Sequence, residues 1–307
     1  MKRLGLTVLL CAAWIAGATE SALLSYLPAA SDGAAGVSFD RIRQLPDVAS
    51  QLQKKEVVQE FRSLGCEPDD VHELLYFTVS EPRVMNGVLV RISPRRDPAA
   101  VLSSAKIAFT ESRIGDIPVF YLTSPRPPMP DAIARLAPDV YLVVGNKNNL
   151  PVLLKLPRGK SAVVAKQTAL LPVKNSAAWF VDTRVKLPVP PKKNQKRDIR
   201  GDLRFCLDTP EKGGIVLYGT VACPDAQSAS QMGLMIPLIE SIVAGTVFGE
   251  DPELGQKVLA SAAHRVQGGD FQLEVRWDRA LLDAVKQYLQ ERNVLESVQS
   301  AGTLPAF

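Results

Sequence analysis

The order of motifs in the first half of this chain recurs in the second, and no other feature restricts the fold as much. LLYFTVS (Leu74 to Ser80) resembles DLRFCLD (Asp202 to Asp208), and Gly87-Val88-Leu89-Val90 resembles Gly214-Ile215-Val216-Leu217. Each second strand then runs into a proline, an aspartate and an alanine-rich helix. These are Pro94, Asp97, Ala99 and Ala100 in one half, and Pro224, Asp225, Ala226 and Ala229 in the other. Upstream, four residues separate Phe39-Asp40 from Leu45-Pro46, and four separate Val181-Asp182 from Leu187-Pro188. Matches in one fixed order point to an internal duplication. The expected fold is α+β, with two related halves, each an antiparallel sheet with helices packed on one face. Residues 19–160 form the first repeat and 161–292 the second, followed by a loosely held tail over 293–307.

Local patterns fill in the halves. Ala34 to Phe39 reads as a strand, and a helix runs from about Asp47 to Leu64, where Leu64-Gly65 ends it. Pro68-Asp69-Asp70 marks a turn before the hairpin of Leu74 to Ser80 and Val88 to Ile92. Asp97-Pro98 supplies an N-cap and first-turn proline for a helix over Ala99 to Phe109. Strands at Ile117 to Leu122 and Val140 to Val144 precede a helical piece near Leu150 to Leu156. In the second half, Val189 to Arg200 replaces the first helix. Cys206 and Cys223 sit on the two strands of a hairpin whose turn near Glu211 to Gly213 sets residue 206 opposite residue 218. After Asp225 the helical run is long, with Ala229, Met232, Ile236, Ile239 and Val243 on one face and Pro237 inside it. It breaks near Gly249 to Pro252, and a further helix continues through Val258 and Leu259. Phe271, Leu273, Val275 and Trp277 alternate as a half-buried strand, and Asp278 caps the last helix, with Leu281, Val285, Tyr288 and Leu289 as its packing stripe.

Met1 to Ala18, MKRLGLTVLLCAAWIAGA, has the build of an export signal: Lys2 and Arg3, an apolar run from Leu4 to Ile15, then Ala16-Gly17-Ala18. The expected location is periplasmic or secreted after cleavage near Ala18. Loss of Lys2 and Arg3 takes the formal charge from +4 to +2, a balance that makes no case for specific nucleic-acid binding. With 46% hydrophobic and 22% charged residues, the chain is composed for packing rather than disorder. Cys11 leaves with the signal, and Cys66, Cys206 and Cys223 remain, an odd number without zinc-ligand spacing. Buried free thiols are the preferred reading.

Motifs for chemistry are sparse. His72 lies among Asp69, Asp70 and Glu73, and His264 follows an alanine-rich helix end, where a cation suits the helix dipole. Neither has a second histidine at helical spacing for a metal, or a G-x-S-x-G elbow for a serine triad. Asp40 and Asp182 recur at matching positions, each after an apolar strand, where capping or turn roles explain them. Gly145-Asn146-Lys147-Asn148-Asn149 reads as an asparagine-rich turn rather than an anion nest. Lys192, Lys193, Lys196, Arg197 and Arg200 make a basic loop with one acid, Asp198, and no aromatic residue. The solvated-linker reading is preferred, and the loop is also a candidate anion-binding site for an anionic polymer or lipid.

LLSYLPAASDGAAGVSFDRIRQLP, the Leu-Gly-Cys-Glu-Pro-Asp-Asp-Val exit, RDPAAVLSSA, IGDIPVFYL and DVYLVVGNKNNLPVLL follow in order. That succession resembles an uncharacterised group of exported bacterial proteins with a duplicated α+β layout. The resemblance implies an extracytoplasmic location and α+β architecture, and it brings no catalytic residues. The functional expectation is a non-enzymatic binding or scaffolding protein of the cell envelope, without cofactor or metal. Its partner is an envelope protein or anionic polymer, with peripheral membrane contact allowed. The alternatives are an envelope hydrolase using acidic residues and a carrier of an apolar ligand.

Overall fold

The computed structural model describes residues 22–43, 49–50, 52–63, 67–81, 83–93, 97–123, 130–159, 164, 177–186, 200–208 and 214–291. The expected signal (1–18), tail (293–307), Cys66 and most of the basic loop lie outside these residues.

Twelve strands form one sheet: β1 (Gly33–Ser38), β2 (Val71–Val79), β3 (Met85–Ile92), β4 (Phe109–Ile114), β5 (Ile117–Leu122), β6 (Ala132–Ala137), β7 (Val140–Val144), β8 (Ala178–Lys186), β9 (Arg200–Asp208), β10 (Ile215–Ala222), β11 (Ala262–Gln267) and β12 (Asp270–Trp277). Their spatial order is β11-β12-β10-β9-β8-β1-β2-β3-β7-β6-β5-β4. Neighbours run antiparallel throughout. Seven α-helices are described: α1 (Phe39–Ile42), α2 (Lys55–Ser63), α3 (Pro98–Ser104), α4 (Leu150–Lys155), α5 (Ala226–Val247), α6 (Pro252–Ala260) and α7 (Arg279–Glu291). The fold is therefore mixed α and β around one continuous sheet. The expected pair of sheets is joined where β1 pairs with β8, Gly36 lying opposite Trp179.

Strand alternation decides which side each helix covers. In β2 the residues Val71, Glu73, Leu75, Phe77 and Val79 are buried and the intervening ones are less so, the period of two expected of a strand. Ala34 pairs with Phe77 on one face, where Leu23, Leu24 and Leu27 of a 3-10 turn pack with Leu150 and Leu153 of α4. Val37, three residues on, pairs with Leu74 on the opposite face and packs with Phe39, Ile42 and Phe61 of α1 and α2. In the second half, α5 packs on that same face through Met232, against Val221 and Phe271. Helices thus lie on both faces of the first half, where one was expected, because the sheet there is flanked by apolar segments on each side.

Several expectations hold closely. The β9–β10 register sets Cys206 opposite Tyr218, and neither Cys206 nor Cys223 is in a disulfide. Asp278 caps α7 through Leu281 N–H at 2.8 Å. Gly115 has φ +59° in the two-residue connection between β4 and β5, the left-handed turn that such hairpins need. Others are corrected. The helix after Asp97 stops at Ser104, since Phe109 opens β4 and pairs with Leu122. The 68–70 turn passes straight into β2 at Val71. Asp182 sits within β8 at a register irregularity, whereas Asp40 lies in α1, so this echo joins two different local structures. β4, β6 and β11 carry no clear two-residue period: β11 reads AAHRVQ, and only its pairing with β12 makes it a strand.

Candidate functional site

The long helix predicted after Asp225 is α5, and its outer surface is the most unusual in the described molecule. Asp225 caps it by accepting from Ser228 N–H at 2.8 Å, and Ser228, Ala229, Met232 and Ala244 hold it to the protein. Its 22 residues include one charged side chain, Glu240. By length and composition α5 is apolar enough to cross a membrane, with mean hydropathy 1.3, yet only 11% of that stretch is buried. Leu234 is 78% exposed, Leu238 61% and Ile242 60%, at four-residue intervals along one stripe. Ile239 and Val243 widen the stripe, and Val266 of β11, beneath Gly233, is also partly exposed. A patch of this kind on a folded surface marks a place of contact.

The inward side of α5 explains its position. Glu240 reaches His264 of β11, with Oε2 2.8 Å from Nε2, and the imidazole stacks on Phe271. This corrects the helix-end reading of His264: α6 ends at Ala260, and His264 lies two residues into β11. Gly233 packs on Val266 so closely that a Cβ there would come within 2.7 Å of Val266 Cγ2. A larger side chain would push the helix off the strand.

Beside α5, a cleft of about 620 Å³ opens between α6 and α7. It is the candidate for acidic catalysis, lined by Asp251, Glu253, Asp278 and Glu291 with Lys257 and Tyr288. Its acids are engaged in holding the helices. Asp251 accepts from Leu254 N–H at 3.0 Å, Asp278 caps α7, and Glu253 accepts from Lys257 at 2.7 Å. The bond to Glu253 pushes the Lys257 ammonium above its ordinary pKa, away from the neutral range where a general base works. The apolar carrier reading predicts an enclosed apolar cavity, and this cleft is open to solvent and lined by polar and apolar groups in equal measure.

Other sequence candidates fall elsewhere. His72 is inside β2, not in a solvated turn, and its Nδ1 lies 3.0 Å from Asp40 Oδ1. Arg43 bonds Asp40 at 2.9 Å and lies 3.3 Å from Asp69, while Arg91 approaches Glu73 at 3.6 Å. Arg43 also donates to the Pro68 and Val71 carbonyls, so this network ties α1 to the start of β2. Among the described residues no group of three or more His, Cys, Asp or Glu is arranged to hold a metal. In the asparagine-rich turn, Asn148 N–H donates to Asn146 at 2.9 Å and Lys147 N–H to Asp131 at 3.2 Å. A protein carboxylate thus occupies the place an anion would take. Of the basic loop, Lys192, Lys193, Lys196 and Arg197 lie outside the described residues, and Arg200 opens β9 at an exposed position opposite Lys186.

Comparison with protein-family models, with curated proteins and with solved structures finds no match.

Proposed function

We propose that this chain is an exported, non-enzymatic binding or scaffolding protein of the cell envelope, and that α5 is its binding element. The observation that carries the reading is the bare apolar stripe of Leu234, Leu238 and Ile242 on a helix firmly anchored along its other side. Apolar area left in water costs about 25 cal/mol per Å² relative to burial, so such a surface gains free energy on meeting a partner. Export rests on the character of Met1 to Ala18.

We also read the chain as two related α+β halves. Outward from the β1–β8 junction, β1, β2, β3 and β7 follow in one direction and β8, β9, β10 and β12 in the other. In each series the third strand pairs with one reached only after an intervening helix, and β6 flanks β7 as β11 flanks β12. β4 and β5 are additions to the first half. This ordering supports the duplication independently of the sequence matches.

The test is fractionation of the full-length chain carrying a C-terminal tag and a photo-crosslinking residue at Leu234. Recovery in the envelope fraction, with an N-terminus near Thr19 and a cross-linked macromolecule, is the expected result. Recovery of unprocessed chain in the cytosol would overturn the export reading, and hydrolysis of an envelope polymer abolished by Glu291→Gln would overturn the non-enzymatic one.

A further inference from the structure

The sheet has two edges, and they are built differently. β4 presents Glu111, Ser112 and Arg113, all exposed, and charge of this kind discourages pairing with another strand. β11 carries one acid-or-base residue with a permanent charge, Arg265, and is paired with β12 on one side only among the described strands. α5 runs along this edge, Gly233 over Val266 and Glu240 over His264, antiparallel to the strand. The apolar stripe of α5 lies on the helix face opposite these anchors, so it points away from the sheet rather than along its edge.

We propose that the outward stripe of α5 is an isologous interface with a second copy of the same chain, α5 packing on α5 across a twofold axis. The proposal rests on the reading of α5 as a binding surface and names its partner. An isologous interface brings each residue near the axis against its own counterpart, so any charge there meets a like charge. The α5 stripe has none: its one charge, Glu240, is turned inward to His264. The four-residue spacing is also self-complementary. With Leu238 at the axis, Leu234 of one copy meets Ile242 of the other, and the reverse. Ser241 and Gly245, both exposed, leave room for close helix approach, and a Cβ at Gly245 would touch nothing in the single chain.

Size and charge favour a second copy over a bilayer. The five exposed apolar side chains of α5 offer roughly 550 Å² per copy and about 1,100 Å² for the pair, above the roughly 1,000 Å² that a specific interface needs. A helix lying on an anionic bilayer needs basic residues around its apolar face. The turn after α5 and the first turn of α6 instead supply Glu250, Asp251 and Glu253.

The test is sedimentation equilibrium of the purified full chain with Leu238→Glu and Ile242→Glu variants, both at exposed positions, with circular dichroism melts confirming that each variant is folded. Each substitution enters a dimer twice, so the expected rise in dissociation constant is about 100-fold or more. The wild type is expected at twice the chain mass and the variants at the chain mass. A mixture of Leu238→Glu and Leu238→Lys chains should regain the doubled mass as a heterodimer. A wild type that stays at the chain mass at about 100 μM overturns the proposal, as does a dimer that both variants leave intact. If that monomer floats with phosphatidylethanolamine–phosphatidylglycerol vesicles and Leu238→Glu does not, the second copy falls while the binding surface stands. If it neither floats nor cross-links from Leu234 to another molecule, both readings fall.

Discussion

Gly36→Ala is the most incisive single perturbation of this fold, because it acts where the two halves of the sheet meet. Gly36 pairs with Leu75 on one side and with Trp179 on the other. The indole lies across the glycine: a Cβ at position 36 would be 2.3 Å from Nε1, 2.4 Å from Cε2 and 2.7 Å from Cζ2. Trp179 is 2% exposed, so the ring has no empty space to swing into. Relief requires either an off-rotamer indole or a local parting of β1 from β8. Overpacking a well-filled core costs about 1–3 kcal/mol, and the smaller unfolded-state entropy of alanine returns about 0.4–1 kcal/mol. The net expectation is a loss of about 1–1.5 kcal/mol, or a fall in Tm of about 2 °C for a chain of this size. Thermal unfolding followed by tryptophan fluorescence and circular dichroism reads both the shift and its cooperativity. Gly145→Ala is the control, since a Cβ there meets nothing within 4 Å. The decisive comparison repeats Gly36→Ala in a Trp179→Leu background, where its cost should shrink by at least about 1 kcal/mol. An effect of less than about 0.5 kcal/mol in the native background, or an equal cost in both, would refute the steric argument.

Three further outcomes follow from local contacts. Asp251→Ala removes the carboxylate that accepts from Leu254 N–H, and should cost about 1 kcal/mol in chemical denaturation, with Asp251→Ser recovering most of it. Cys206, fully buried, should resist a thiol reagent in the folded protein and react only on unfolding, while Cys223 reacts slowly; fast labelling of Cys206 at neutral pH would contradict its place in the core. Burial, then Asp270 and Asp225, raises the Cys223 thiol pKa above its ordinary value of 9.0, and burial raises the Tyr141 phenol above 10.0. Both groups hold their protons longer folded than unfolded, so their contribution is intact below those values and is lost as pH rises through them. Stability should therefore decline above about pH 9, and a Cys223→Ala, Tyr141→Phe double variant should flatten that decline in urea titrations at successive pH values.

The strands that the sequence makes legible are those with one buried face. β2, β5, β7 and β12 have apolar residues at two-residue spacing or in short continuous runs, and their pairing follows from it. β4 and β11 are edge strands with mostly exposed residues, so no apolar period announces them. Of the two histidines only His264 lies on such an edge; His72 sits among the polar opening residues of β2, ahead of its apolar run. The α5 stripe presents a different difficulty. Ala229, Met232 and Ile236 do pack inward, as the spacing indicates, but Ile239 and Val243, expected on the same face, are exposed, and Leu234, Leu238 and Ile242 share the same composition and face water. A helix apolar on every side carries no signal for which side is covered, so only the fold reveals the bare one.

The joined sheet also changes what a repeat means in this chain. The largest core cluster draws on both halves: Ala34, Leu75, Phe77 and Leu89 come from the first, and Trp179, Val181 and Cys206 from the second. β1 sits between β2 and β8, and its burial alternates little because both flanking strands and both faces are occupied. Were the halves separate bodies, β1 and β8 would each become an edge bearing Ala34, Val37, Trp179 and Val181, which are now at most 4% exposed. Such flat apolar edges are the kind that pair with whatever strand they meet. Pairing β1 with β8 removes that hazard at the centre and moves the free edges to β4 and β11, one charged and one lined by an apolar helix. If a duplication built this chain, its first consequence was to close the edges on which the two copies met.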